Sequence, residues 1–161
     1  MFTNISKITF ILVINLFFFI QTSKSSDYNE IIDRIFSDRK LDSIEGIWKK
    51  TLANEGPSGC ITMFYKDNDN VYYQMHIDSC FVMGKITGKQ KKLSNTTYKG
   101  ENAVYFYNGD VNWGPSNILI SKNYESFLIT HNSYNNVFRE KWERIWPEDI
   151  EKYNKSIEDN N

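Results

Sequence analysis

The sequence predicts a mainly β protein: a small antiparallel β-barrel or strongly curved sheet of about eight strands, with a short helix at each end. Three observations carry this reading. Between Gly46 and Trp146, short runs rich in Val, Ile, Tyr, Phe and Trp recur at roughly 8–12-residue spacing. Polar turns short enough for hairpins separate them, and Asn108-Gly109 is the clearest, because both residues tolerate positive φ. On either side of this region the apolar residues switch to helical spacing.

The chain has 161 residues, with 19 Lys+Arg against 20 Asp+Glu, 40% apolar and 16% aromatic residues. One domain is expected at this length. Near-balanced charge argues against nucleic acid as a partner, and the apolar mass argues against wholesale disorder. Residues 8–20 (ITFILVINLFFFI) are apolar except for Thr9 and Asn15; Lys7 precedes them and Thr22-Ser23-Lys24-Ser25-Ser26 follows. A positive start, an apolar middle and a small-residue zone make an export signal. The run is short of the about 20 residues a membrane span needs, so no permanent span is expected after cleavage. Residues 1–25 are read as the signal peptide. Losing Lys7 and Lys24 with it moves the formal charge from −1 to −3.

Residues 26–44 are read as an N-terminal helix and linker. Asp27 with Glu30 resembles a capping box, and Ile31, Ile32, Ile35 and Phe36 form one stripe. The β region spans 45–146. Its expected strands are 47–51, 60–66, 71–77, 81–89, a polar edge segment at 94–101, then 103–107, 116–121, 124–130 and 137–145. The loop Asp67-Asn68-Asp69-Asn70 closes a hairpin, which would set Lys66 opposite Val71, Phe64 opposite Tyr73 and Cys60 opposite Ile77. Residues 147–161 make a closing helix and tail, with Pro147 at its first position and Ile150, Tyr153 and Ile157 on one face.

Two cysteines, Cys60 and Cys80, survive cleavage. In an oxidising compartment they are expected to form one disulfide across the open end of the 60–77 hairpin, which needs a bend or bulge there. Two buried free thiols are the alternative. Their spacing does not suit a metal pair, and no metal or cofactor is expected.

Other motifs fall short of chemistry. Asp67 to Asp78 resembles a calcium loop, but Val71 and Tyr72 stand where an oxygen ligand and a Gly are needed. Gly56-Pro57-Ser58-Gly59-Cys60 lacks the last Gly of a nucleophile elbow and precedes a strand. His76 and Asp78 sit two apart on one strand, close enough for a His–carboxylate pair. His131 is the second potential base. No nucleophile accompanies either, so an enzyme is not expected. Phosphate-binding glycine loops are absent.

Gly46-Ile47-Trp48 opens the first strand, a helix precedes it, hairpin-linked strands follow, and Arg139, Lys141 and Arg144 lie on the last strand. This layout resembles the lipocalin and calycin barrels. The resemblance implies that Gly46 and Trp48 close the barrel bottom under an arginine from the last strand, Arg144 in first place and Arg139 in second. It also implies a non-enzymatic exported protein, periplasmic or extracellular, that binds a small apolar or amphipathic molecule. Met63, Tyr65, Tyr73, Met75, Met83, Tyr105 and Tyr107 are the candidates to line its cavity. The alternative is a structural or interaction module without a ligand cavity, whose partner is an envelope protein.

Overall fold

The computed structural model describes residues 28–160 except 57, 68 and 134. The expected signal peptide, 1–25, lies outside these residues. The chain divides into two compact units between Ser37 and Asp38. The first unit carries helix α1 (28–35), closed by the Phe36 N–H donating to the Ile32 carbonyl at 2.9 Å.

In the second unit, eight antiparallel strands follow one another around a closed barrel. They are β1 (Gly46–Ala53), β2 (Ile61–Lys66), β3 (Tyr72–Asp78), β4 (Ile86–Lys92), β5 (Thr97–Tyr105), β6 (Val111–Ile120), β7 (Ser126–Ser133) and β8 (Asn136–Trp146). β1 pairs with β8, Lys49 opposite Glu143 and Lys50 opposite Trp142, so the sheet has no free edge. Helix α2 (Ile150–Asp159) follows.

The strand period of two sorts the side chains. On β6, Gly114, Ser116, Ile118 and Ile120 are buried, while Val111, Trp113, Pro115, Asn117 and Leu119 are exposed. The inward residues divide by height. Toward one end Trp48, Phe64, Tyr72, Tyr98, Phe127 and Trp142 form an apolar core with Ile118 and Ile129. Phe127 ties it together, edge-on to Trp48 at 4.8 Å and to Phe64 at 5.6 Å. Toward the other end the inward positions are Lys50, Gln74, His76, Asn102, His131 and Glu140.

Several boundaries differ from those read in the sequence. Residues 81–85 are loop, with Gly84 at positive φ (68°), and β4 runs from Ile86 to Lys92. The segments 94–101 and 103–107 are parts of one strand, β5, paired along its whole length with β6 from Thr97↔Leu119 to Tyr105↔Val111. β6 begins at Val111 rather than Ser116. It tolerates Pro115 because its ladder with β7 starts only at Ser116↔His131.

The β2–β3 register is one residue from the expected one. Lys66 faces Tyr72, Phe64 faces Gln74 and Tyr65 faces Tyr73. The turn explains it: the Asp67 N–H donates to the Val71 carbonyl at 3.0 Å, so that pair, and not Lys66 with Val71, closes the loop. Helix α2 starts three residues later than expected. Asp149 is its N-cap, accepting from the Lys152 N–H at 2.9 Å, and Pro147 is buried ahead of it.

Candidate functional site

The barrel has one closed and one open end, and the closed end fixes which is which. Gly46 has φ +123°, and a Cβ there would lie 2.3 Å from the Trp146 carbonyl oxygen, so only glycine fits. Trp48 is fully buried and its Nε1–H donates to the Ile44 carbonyl at 2.8 Å. The Arg144 guanidinium lies over its ring, 3.9 Å from the centroid. The same guanidinium donates to the carbonyls of Glu45 (2.8 Å), Tyr124 (2.7 Å) and Ser43. Burial lowers the Arg144 pKa to about 9, so it stays cationic at neutral pH. Arg139 is exposed on β8 and takes no part.

The strap 38–45 completes this end, and nothing in the sequence pattern marked its polar residues. The buried Glu45 carboxylate accepts from Arg39 at 2.7 and 3.1 Å and from the Asp42 and Lys66 N–H groups. Asp42 accepts from Tyr72 and Lys92, both at 2.6 Å. Burial pushes the Asp42 carboxyl up, but those two hydrogen bonds together with the charges of Lys92 and Lys66 outweigh it and hold the pKa below the usual value. Asn154 of α2 exchanges two hydrogen bonds with the Leu41 backbone, which fastens the helix to the strap.

Above the apolar core a layer of amides crosses the barrel. Gln90 Nε2 donates to Asn102 Oδ1 at 2.6 Å and to Ser116 Oγ at 2.8 Å, and Asn102 Nδ2 donates to Gln74 Oε1 at 2.9 Å. Gly88 leaves room for it, since a Cβ there would meet Gln74 Oε1 at 2.8 Å. The layer is the floor of a cavity of about 240 Å³ that opens at the far end.

Each wall brings a polar group to this cavity. Lys50 on β1 pairs with Glu140 on β8 at 3.2 Å, and the other Glu140 oxygen accepts from Trp142 Nε1 at 3.0 Å. His76 on β3 donates from Nδ1 to the Val82 carbonyl at 3.1 Å, which leaves Nε2 as an acceptor. Thr87 on β4 and His131 on β7 are 2% and 5% exposed, yet Thr87 Oγ1 and His131 Nδ1 have no hydrogen-bond partner. His131 stacks on Phe138 at 4.9 Å. Phe81, Val82 and Tyr105 supply the apolar part of the wall. Burial lowers the pKa of His76 to about 4 and also lowers that of His131, so both are neutral at pH 7.

Of the seven side chains expected to line a cavity, Tyr105 is the one that lines this cavity, with its hydroxyl donating to the Ile86 carbonyl at 3.0 Å. The register explains the others on β2 and β3. Phe64 and Gln74 face inward, so Met63, Tyr65, Tyr73 and Met75 share the opposite parity. Met63 pairs with Met75, and Tyr65 stacks on Tyr73 at 5.9 Å. Met83 and Tyr107 stand in rim loops, 57% and 94% exposed. The residues that do line the cavity were legible only as polar positions alternating in step with buried aromatics: Gln74 and His76 with Tyr72, His131 with Phe127 and Ile129.

Cys60 and Cys80 are joined by a disulfide, Cα atoms 4.6 Å apart, with the required irregularity between Ile61 and Thr62. His76 lies close to both sulfurs, but bonded sulfurs offer no thiolate to a metal. His76 does not pair with Asp78, whose carboxylate accepts from the Ser79 hydroxyl at 3.1 Å. The site therefore offers hydrogen bonds in an open-ended pocket beside a paired Lys50 and Glu140. No family model, curated protein or solved structure matches the chain.

Proposed function

We propose that the protein is exported and holds a small molecule, without transforming it, in the open end of a calycin-like barrel. The observation that carries this reading is the pair of buried, unpartnered polar atoms, Thr87 Oγ1 and His131 Nδ1, on two residues that line one cavity. Leaving such a group unsatisfied costs about 1–3 kcal/mol, and a bound molecule that supplies the partners recovers it. Export is supported by the apolar leader and by the Cys60–Cys80 bridge. The calycin likeness is supported by Gly46, Trp48 and Arg144 at the closed end.

The volume suits a small ligand. Benzene fills an engineered cavity of about 150 Å³, so about 240 Å³ suits a molecule of roughly ten non-hydrogen atoms. Native mass spectrometry of the protein purified from its own host tests the reading. A discrete adduct is expected, absent from His131→Phe, which keeps the stack on Phe138 but removes both ring nitrogens. A bare mass for the wild type, with no melting-temperature rise across a panel of small polar and amphipathic compounds, overturns it.

A further inference from the structure

We infer that the ligand of this cavity is an uncharged, flat molecule carrying both a carbonyl and an N–H, a ring carboxamide or a lactam-like heterocycle. The inference rests on the binding reading above and names its chemical class.

Charge is the first constraint. Three charged side chains line the cavity: Glu55 is exposed in the loop after β1, where water screens it, and the two inward ones, Lys50 and Glu140, offset each other at 3.2 Å. The second Glu140 oxygen is taken by the Trp142 indole. The imidazoles of His76 and His131 add no charge at neutral pH, since burial holds both in the neutral form. A charged ligand entering this site would lose water and meet no unpaired inward counter-charge, which is unfavourable unless it splits the Lys50–Glu140 pair.

Hydrogen bonding is the second constraint. On the floor, Asn102 Oδ1 and Gln74 Oε1 each accept one hydrogen bond and keep one lone pair, whereas Gln74 Nε2 keeps both of its N–H groups and Asn102 Nδ2 keeps one, so amide N–H is the larger remaining capacity. That favours a carbonyl on the ligand. On the wall, His76 Nε2 is an acceptor because Nδ1 donates to the Val82 carbonyl. That favours an N–H on the ligand. Thr87 Oγ1 serves either role. Shape is the third constraint. Flat rings line the upper wall, Phe81, Tyr105 and the Phe138–His131 stack, and a planar ligand lies against such surfaces with the most contact.

Three near-isosteric probes separate the classes: benzamide, benzoate and benzylammonium. Each is titrated into the disulfide-bonded protein near neutral pH, with the His76 and His131 imidazole resonances and the melting temperature as readouts. Benzamide is expected to move both imidazoles and raise the melting temperature, with each charged probe at least about tenfold weaker. In Glu140→Gln, which uncovers Lys50, the order is expected to reverse in favour of benzoate. Should that variant not fold, Lys50→Met gives the mirror result with benzylammonium. Benzoate or benzylammonium binding the wild type as tightly as benzamide overturns the neutral class while leaving the binding reading intact. No binding by any probe, beside a host-derived adduct, also overturns the class alone. No binding and no adduct overturns the reading beneath it.

Discussion

Acid should destabilise this protein in a window set by its buried imidazole. His76 is held neutral in the fold, with burial lowering its pKa from 6.5 to about 4. The unfolded chain takes up a proton as pH falls through about 6.5, whereas the folded protein does not until about 4. The stability gained from the neutral ring is therefore complete above pH 6.5 and lost progressively as pH falls from 6.5 to about 4. At about 1.4 kcal/mol per pH unit, that gap is worth about 3 kcal/mol. His131 is shifted in the same direction and adds to the slope. Asp42 acts elsewhere: its lowered carboxylate pKa costs stability only as pH falls below 3.8. Urea unfolding of the oxidised protein from about pH 7.5 to about pH 4.5 should record most of the loss. In His76→Asn, whose amide N–H replaces Nδ1 toward Val82, the slope should shrink by about 2–3 kcal/mol across that range. Equal slopes in the two proteins, or an NMR titration that places the folded His76 pKa near 6.5, would refute the reasoning.

Three further outcomes follow from the closed end and the bridge. Arg144→Met removes the donors to three backbone carbonyls and the cation above Trp48. Relief of a buried charge offsets part of the loss, leaving about 3 kcal/mol of destabilisation by urea titration; an unchanged midpoint would refute a closing role. Gly46→Ala places a Cβ against the Trp146 carbonyl at positive φ, and should cost at least about 2 kcal/mol in thermal melts. Replacing Cys60 and Cys80 by alanine opens a loop of 20 residues, and the chain-entropy relation gives about 3 kcal/mol, read as a lower urea midpoint with the barrel's far-ultraviolet signature retained.

The fold was legible because strand period and turn chemistry are local signals. Alternation along residues such as Ile118 to Ile120 and the Asn108-Gly109 turn place hairpins without knowledge of what they pack against. Gly46-Ile47-Trp48 was legible for a related reason: a glycine forced by a close backbone approach and a tryptophan with one indole N–H leave a compact signature. The candidate site was not, and on β3 the cause is a single residue of register. Pairing Lys66 with Val71 instead of Tyr72 leaves undecided which of Tyr73 and Gln74 faces the interior, and the aromatic looks like the better lining. The observed register points Gln74 and His76 inward and leaves Tyr65, Tyr73, Met63 and Met75 on the other face. Glu45 and Asp42 were invisible for another reason. Their partners, Arg39, Lys66, Tyr72 and Lys92, come from separate elements that meet only after the barrel closes.

The division of the barrel interior is itself an argument for binding. An eight-strand barrel of this size can be filled with side chains, and the closed half is: its core is mostly aromatic and aliphatic. Folding alone gives no reason to fill the other half differently, because a buried ion pair is often no better than apolar residues of similar volume, and unpartnered polar atoms are worse. Yet Lys50, Glu140, His76, Thr87 and His131 all occupy inward positions there. The disulfide lies beside His76 at this same end, with Cys80 packed against the apolar core. Local stability given up at one place and restored by a cross-link beside it is the pattern of a retained site. The triple replacement His76→Leu, Thr87→Val, His131→Phe should therefore separate the two roles. It keeps the ring stacked on Phe138 and removes both unpartnered atoms. The variant should be at least as stable as wild type near neutral pH, more stable by about 3 kcal/mol near pH 4.5, and unable to hold the host-derived adduct. If it is instead strongly destabilised near neutral pH, these polar groups serve the fold, and the argument from their cost to a bound ligand fails.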